Sequence, residues 1–493
     1  MSNSTPFTLL ANGTSLAWAD VPTWPVAELI RTTAQELTRG ARLCAWFGVP
    51  EKDGVSLVAI IAFDADTTLA AARSAPVQGS YPALTPIHAQ AHLFEREVWE
   101  EQGLIPEGHP WLKPVRRSSG NAPANGTFFR VQGSEIHEVA VGPVHAGVIE
   151  PGHFRFQCNG EEVLHLEIAL GYQHRGIEAA LVTGPHRATI SQMETAAGDT
   201  SIGHATAYAT VMEALAGTEA PLRAQWLRAL ALELERLANH IGDLGALATD
   251  VAFLPTSAAC GKIRGDFLNL TALLCGNRFG RGLVRPGGCR HNLEPERAQK
   301  FLQLLRAALA DAEQAAAWFW DANSVRSRFE GVGPVTSEQA VEIGLVGMAA
   351  RASGLVRDVR FDHPAGWHRF AQIPVSVWPG GDVLARAHVR WLEAQRSGKF
   401  LEEQLASSPD DDLLTNVGTL AADTLAVALV EGWRGEICHV ALTDQAGRFR
   451  KYKIVDPSFH NWMGLALALR RQAISDFPIC NKSFNLSYCG FDL

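Results

Sequence analysis

Residues 221–251 read PLRAQWLRALALELERLANHIGDLGALATDV. Leu227, Leu230, Leu234, Leu237 and Ile241 recur at steps of three and four, which gathers apolar side chains along one side of an α-helix. After Pro221 no proline interrupts the run, so the spacing predicts one long amphipathic helix. A second helical run, EPERAQKFLQLLRAALADAEQAAAWFWDAN, follows at 294–323, and the pattern is helical from Gly171 to about Ala322. Outside it the period changes. Residues 135–170, EIHEVAVGPVHAGVIEPGHFRFQCNGEEVLHLEIAL, alternate and carry the hairpin signal CNGEE, and EICHVALTDQAGRFRKYKIVDPSF at 436–459 is strand-rich. The expected class is α+β: a large, mainly helical bundle flanked by β-sheet, with a small N-terminal α/β-sandwich-like unit.

That N-terminal unit is read from VAELIRTTAQELTRG, a helix closing on Gly40, and from the strands RLCAWFGVP and VSLVAIIAFDAD parted by EKDG. A further helix lies in PIHAQAHLFEREVWEEQGLIPEGHPWLKPVRR, and SSGNAPANG has the composition of a linker. The boundaries are 1–117, a linker at 118–129, and 130–493.

A chain of 493 residues with 47% hydrophobic and 19% charged residues holds enough apolar material for a sizeable core. Its net charge of −9, with basic residues dispersed, argues against a nucleic-acid partner, which needs a basic stripe to displace counterions. The start, MSNSTPFTLLANGTSLAWAD, lacks a signal-peptide pattern, and no apolar run is long enough to span a bilayer. The expected location is cytoplasmic, peripheral on the inner face of the cell membrane. None of the eight cysteines forms a C-x-x-C pair, so most are read as buried apolar residues.

Six motifs carry a resemblance: GPVHAGVIEPGHFRFQCNGEE, GYQHRGIE, LERLANH, RPGG, EGWRGE and the N-terminal FEREVWEEQGLIPEGHP. From about residue 130 onward the chain resembles the large subunit of energy-converting nickel–iron hydrogenases and its relative, the 49-kDa quinone-site subunit of respiratory complex I. The N-terminal part resembles the 30-kDa subunit of complex I, fused here as in the large subunit of formate hydrogenlyase.

The resemblance implies a site. Anchored on His204, the hydrogenase thiolate positions fall on Ala197, Thr200, Ser487 and Gly490, with Cys489 nearby. Ala and Gly offer no donor and hydroxyls are poor substitutes for thiolates, so no metal is expected. Within AAGDTSIGHATAYAT (196–210), the small segment 196–203 would then line an emptied cavity, or simply permit close helix packing. Tyr208 matches a quinone-binding Tyr, Glu150 an acid that passes protons, and Asp250 an Asp supporting the quinone site. Pro151 stands where complex I has a His, which leaves His145 and His153 as ligand-binding candidates beside His204. Arg236 and His240 share one helix face, Arg236 being read as paired with Glu233 or another acid, and His174–Arg175 as structural at a subunit interface.

With no Gly-rich dinucleotide loop and no cluster ligands, the chain is expected to bind no cofactor of its own, although the assembly implied is one of NAD- and quinone-linked electron transport. The expected partners are a small iron–sulfur subunit, docked beside 145–155 and 196–204, and membrane antiporter-like subunits. The function implied is passage of electrons from that partner's cluster to a quinone-like acceptor, coupled to ion translocation. A non-catalytic scaffold of a hydrogenase-related complex is the alternative, and a soluble partner-binding module a more distant one.

Overall fold

A computed structural model describes residues 6–116, 128–147 and 149–493. The linker read at 118–129 falls mostly outside these residues. The fold is α+β, as expected. In the N-terminal unit, strands Arg42–Glu51, Gly54–Phe63, Thr68–Ser74 and Thr8–Leu10 form an antiparallel sheet, with Thr23–Trp24 parallel to the end of the third. Helices Val26–Thr38 and His92–Gln102 accompany it. A second sheet pairs Glu162–Ala169, His153–Asn159 and Ile136–Val141, with the turn at the CNGEE signal.

The third sheet departs from the sequence reading. Strands Phe449–Val455, Glu436–Thr443 and Thr424–Glu431 are continued by Thr14–Ala17 from the far end of the chain. The first twenty residues therefore contribute to both units. A four-residue strand has too few side chains to show a period, so its partner is set by the exposed edge it covers.

The helix predicted at 221–251 spans Leu222–Asp250. Leu227, Leu230, Leu234 and Leu237 are fully buried, and Ile241 is 1% exposed. The amphipathic reading is nevertheless incomplete, because the polar face is buried too: Arg228, Glu233, Arg236, His240 and Asp243 are all 5% exposed or less. That face meets helix Val383–Leu405, the end of strand Thr424–Glu431 and Arg360, which bring partners for its charges. Glu393 accepts from Arg351 (2.7 Å), His240 (2.8 Å) and Arg236 (3.4 Å). Glu233 receives Arg360 at 3.0 Å and the expected Arg236 at 3.2 Å. Charges removed from water persist only where each finds a partner.

Among the described residues no helix is long and apolar enough to cross a membrane. Seven of the eight cysteines are buried and Cys489 is half-buried.

Removing one partner from the network should be severe. Glu393→Ala is expected to lower the unfolding free energy, measured by urea denaturation, by about 3–5 kcal/mol. Glu402→Ala, whose pair with Arg306 is exposed, should barely move the midpoint, since such pairs contribute at most about 1 kcal/mol. Equal effects would contradict this account.

Candidate functional site

Two segments far apart in sequence converge. A turn at 196–200, with Asp199 in a left-handed conformation, leads into helix Ser201–Ala216, while the chain ends in the short helix Tyr488–Asp492. Ser487 caps the latter, its Oγ accepting from the Gly490 N–H at 2.9 Å. A methyl group added at Gly490 would lie 2.9 Å from the Ala197 Cβ and 2.8 Å from the Asp456 carboxyl carbon. Small residues are thus required here because the Asp456 carboxylate and the Ala197 methyl already fill the space. The expectation that 196–203 line an emptied cavity is corrected at this point: Ala197, Gly490 and Asp456 pack together.

Arg434 laces the two segments. It donates to the carbonyls of Asn485 (2.6 Å) and Gly198 (2.9 Å) and to Thr200 Oγ1 (3.2 Å), with its guanidinium 3.9 Å from the Trp433 ring centre. Trp433 Nε1 also donates to Thr200 Oγ1 at 3.1 Å. Arg175 donates to the carbonyls of Thr195, Ala196 and Cys489, and His174 Nδ1 lies 2.7 Å from the Asp492 carbonyl. These two residues, read as an interface fingerprint, hold the C-terminal helix against the 196–200 turn within this chain. Two hydroxyls already engaged, one Ala and one Gly do not fit a four-thiolate bimetallic centre.

A hydrogen-bonded line runs inward from Asp456. His204 Nε2 lies 3.1 Å from Asp456 Oδ2, His204 Nδ1 lies 3.0 Å from His439 Nε2, and His439 Nδ1 lies 2.9 Å from the Tyr452 hydroxyl. All four are essentially removed from solvent. An ionised carboxylate only accepts, so with one proton per ring the pattern has a single consistent direction. The Tyr452 phenol donates to His439, His439 Nε2–H to His204, and His204 Nε2–H to Asp456. Burial, the largest single influence, pushes the Asp456 carboxyl up, but His204, Arg434 and Ser458 together outweigh it and leave it below the usual range. Burial also holds His439 well below, and Tyr452 well above, their ordinary values.

The predicted residues fall in three places. Tyr208 lies one turn beyond His204, its ring buried 6.4 Å from that of Tyr452. Burial raises its pKa, and its hydroxyl makes no hydrogen bond among the described residues. Glu150 is half-buried and hydrogen-bonds the Cys489 thiol, so it joins the C-terminal side of the site. His145 and His153 bond the Gly152 and Gly142 carbonyls within their own loop, at 2.9 and 3.2 Å. His204 has both ring nitrogens committed to protein partners.

Asp250 is not brought in. Helix Ser201–Ala216 runs antiparallel to the central helix, since Ile202 meets Glu235 and Glu213 meets Arg228. Tyr208 therefore lies level with about residue 231, and Asp250 roughly 28 Å further along at a helical rise of about 1.5 Å per residue. Asp250 is exposed, its pKa raised by partial burial and drawn back by Lys482.

Asp456, His439, Tyr452, Glu235 and Arg434 were not singled out from sequence. Asp456 before Pro457 carries the signal of a helix cap, and it does accept from the Ser458 N–H at 2.8 Å. Glu235 accepts from the N–H groups of Ile202 (2.7 Å) and Gly203 (3.3 Å), and burial outweighs those donors, pushing its carboxyl up to about 8.

Two segments of the chain match known families. Residues 250–424 match the family described as "Respiratory-chain NADH dehydrogenase, 49 Kd subunit", and residues 23–120 match "Respiratory-chain NADH dehydrogenase, 30 Kd subunit". One polypeptide thus carries matches to both family models. It is 29% identical over 433 residues to formate hydrogenlyase subunit 5 of Escherichia coli, covering 83% of this chain and 76% of that one. It is 28% identical over 434 residues to hydrogenase-4 component G of the same organism, with coverages of 83% and 75%. To NADH-quinone oxidoreductase subunit 4 of Thermus thermophilus it is 27% identical over 370 residues, covering 70% and 90%.

Two outcomes follow from the packing. Gly490→Ala should destabilise by about 1–3 kcal/mol in chemical denaturation through overpacking, and by more than Cys489→Ala. Glu235 binds its proton more tightly folded than unfolded, where its carboxyl has the ordinary value of 4.5. Its stabilisation is therefore complete below about pH 4.5 and lost as pH rises towards about 8. The stability difference between the parent and Glu235→Gln should change across that window; a constant difference would refute the assignment.

Proposed function

We propose that this chain is a subunit of a membrane-associated oxidoreductase assembly related to complex I and to hydrogenases, and that it works without a nickel–iron centre. The observation that carries this reading is the packing of Gly490 and Ala197 against Asp456, which leaves no sulfur at the four matched positions and no room for it at Gly490; the one nearby thiol, Cys489, cannot supply four ligands. Electrons arrive on a cluster of a small iron–sulfur partner seated beside 145–155 and 196–204, and antiporter-like membrane subunits translocate the ion. The chain binds no cofactor of its own and sits peripherally on the inner membrane face.

Its own contribution is to hold and move protons. A change of charge at Asp456 is passed along the line as a shift of the shared protons within the hydrogen bonds of His204, His439 and Tyr452. Burial disfavours a tyrosinate, so the phenol keeps its proton throughout. In this reading the fold is a coupling element between partner redox chemistry and ion movement.

The unpartnered hydroxyl of Tyr208 favours a second reading, in which that phenol donates a hydrogen bond to a quinone-like acceptor and Glu150 supplies protons. The intact assembly separates the two. Metal analysis should find no stoichiometric nickel, and nickel in an active preparation would defeat both. His204→Gln and Asp456→Asn should lower ion translocation per electron while electron flow continues. If instead Tyr208→Phe and Glu150→Gln lower quinone-dependent turnover and the His204 and Asp456 variants do not uncouple, the quinone reading stands.

A further inference from the structure

Away from this site, a cavity of about 410 Å³ opens where the N-terminal unit meets the large one. Its walls are mainly apolar and aromatic, with Leu93, Phe129, Leu166, Ile168, Trp462 and Phe491 among them. The volume falls within the roughly 300–1,000 Å³ usual for small-molecule sites, which pair apolar walls with a few placed polar groups.

The polar groups are specific. Trp462 is 4% exposed, and its indole N–H has no acceptor among the described residues. Arg96 donates through Nε and Nη2 to the carbonyls of Lys113 (2.7 Å) and Pro114 (2.8 Å). It forms no ion pair among the described residues, and its Nη1 is unused. Both oxygens of Glu167, which also lines the space, are taken by Lys113 and the Phe129 N–H.

Burial lowers the pKa of His92 to about 3 and lowers those of His109 and His165, so all three are neutral at pH 7. Arg96 stays cationic, since burial brings it down only to about 10, and Arg470 adds a second positive charge at the rim. The indole N–H of Trp462 lacks an acceptor, and Arg96, whose charge is already favoured by the nearby Glu167 and Glu100, keeps Nη1 free; both suit an oxygen anion, while the walls suit an apolar body.

We propose that this cavity binds an apolar carboxylate, with its aryl or acyl body against Ile168 and Phe129 and its carboxylate towards Arg96. The proposal stands independently of the electron-transfer reading. It is tested by titrating the full-length chain calorimetrically with laurate, as a lipid-derived acid, and with 2-naphthoate, as an aromatic one, using dodecanol as the uncharged counterpart. Saturable one-to-one binding of at least one acid is expected, and which acid binds tells the source. Arg96→Gln should weaken the acid by about ten-fold or more, while changing dodecanol by less than about two-fold. Ile168→Trp fills the space without touching a polar contact, so it should abolish binding even if Arg96→Gln proves unstable. Absence of saturable binding by both acids, or binding that survives Ile168→Trp, would overturn the proposal.

Discussion

The structure depends on one constraint: the central helix buries both of its faces. Its leucines need only an apolar neighbour, but Glu233, Arg236, His240 and Asp243 need counter-charges at fixed positions. Arg351 meets Glu393 and Glu431, Arg360 meets Glu233 and Asp358, and Arg390 meets Asp243. The pairing extends to the N-terminal unit, where Arg42 reaches Glu436 at 2.8 Å and Asp64 receives His363 at 2.9 Å. Apolar contacts tolerate sliding, whereas ion pairs away from water do not. The network therefore sets the register of the helices around strand Thr424–Glu431.

The candidate site inherits this rigidity. Arg434 and Trp433 follow directly on that strand, and they position the 198–200 turn against Asn485. Asn485 in turn donates to Asp243 of the central helix at 2.6 Å. The convergence of Ala197 and Gly490 is thus held from below by the charge network and from above by Arg175. Where the hydrogenase-type resemblance implies thiolates, this chain places a carboxylate at the head of an imidazole–imidazole–phenol line. Such a line shifts protons by sub-ångström movements, which suits a core that is otherwise immobile.

The helix at 222–250, the strands on either side of CNGEE and the strands within 436–455 were legible in sequence because each carries a local pattern over seven or more residues. The absence of sulfur at four positions was legible too, since it is a matter of residue type. The contact of Glu150 with the C-terminal segment was foreseeable only in outline, through the motif around it. Asp250 illustrates the opposite case: a motif match placed it near Tyr208, but the antiparallel run of two helices separates them.

Sequence by itself determined the helices at 222–250 and 295–321, the strands at 153–169 and 436–455, and which donors the site lacks, because these depend on side-chain identity and near-neighbour spacing. Only the tertiary structure decided that Thr14–Ala17 completes a sheet more than four hundred residues away. It alone decided that the polar face of the central helix is dry, and that Asp456, His204, His439 and Tyr452 form one line. Each of these joins residues from separate elements, and the free energy of a buried charge or hydrogen bond belongs to the pair, so neither residue announces it alone.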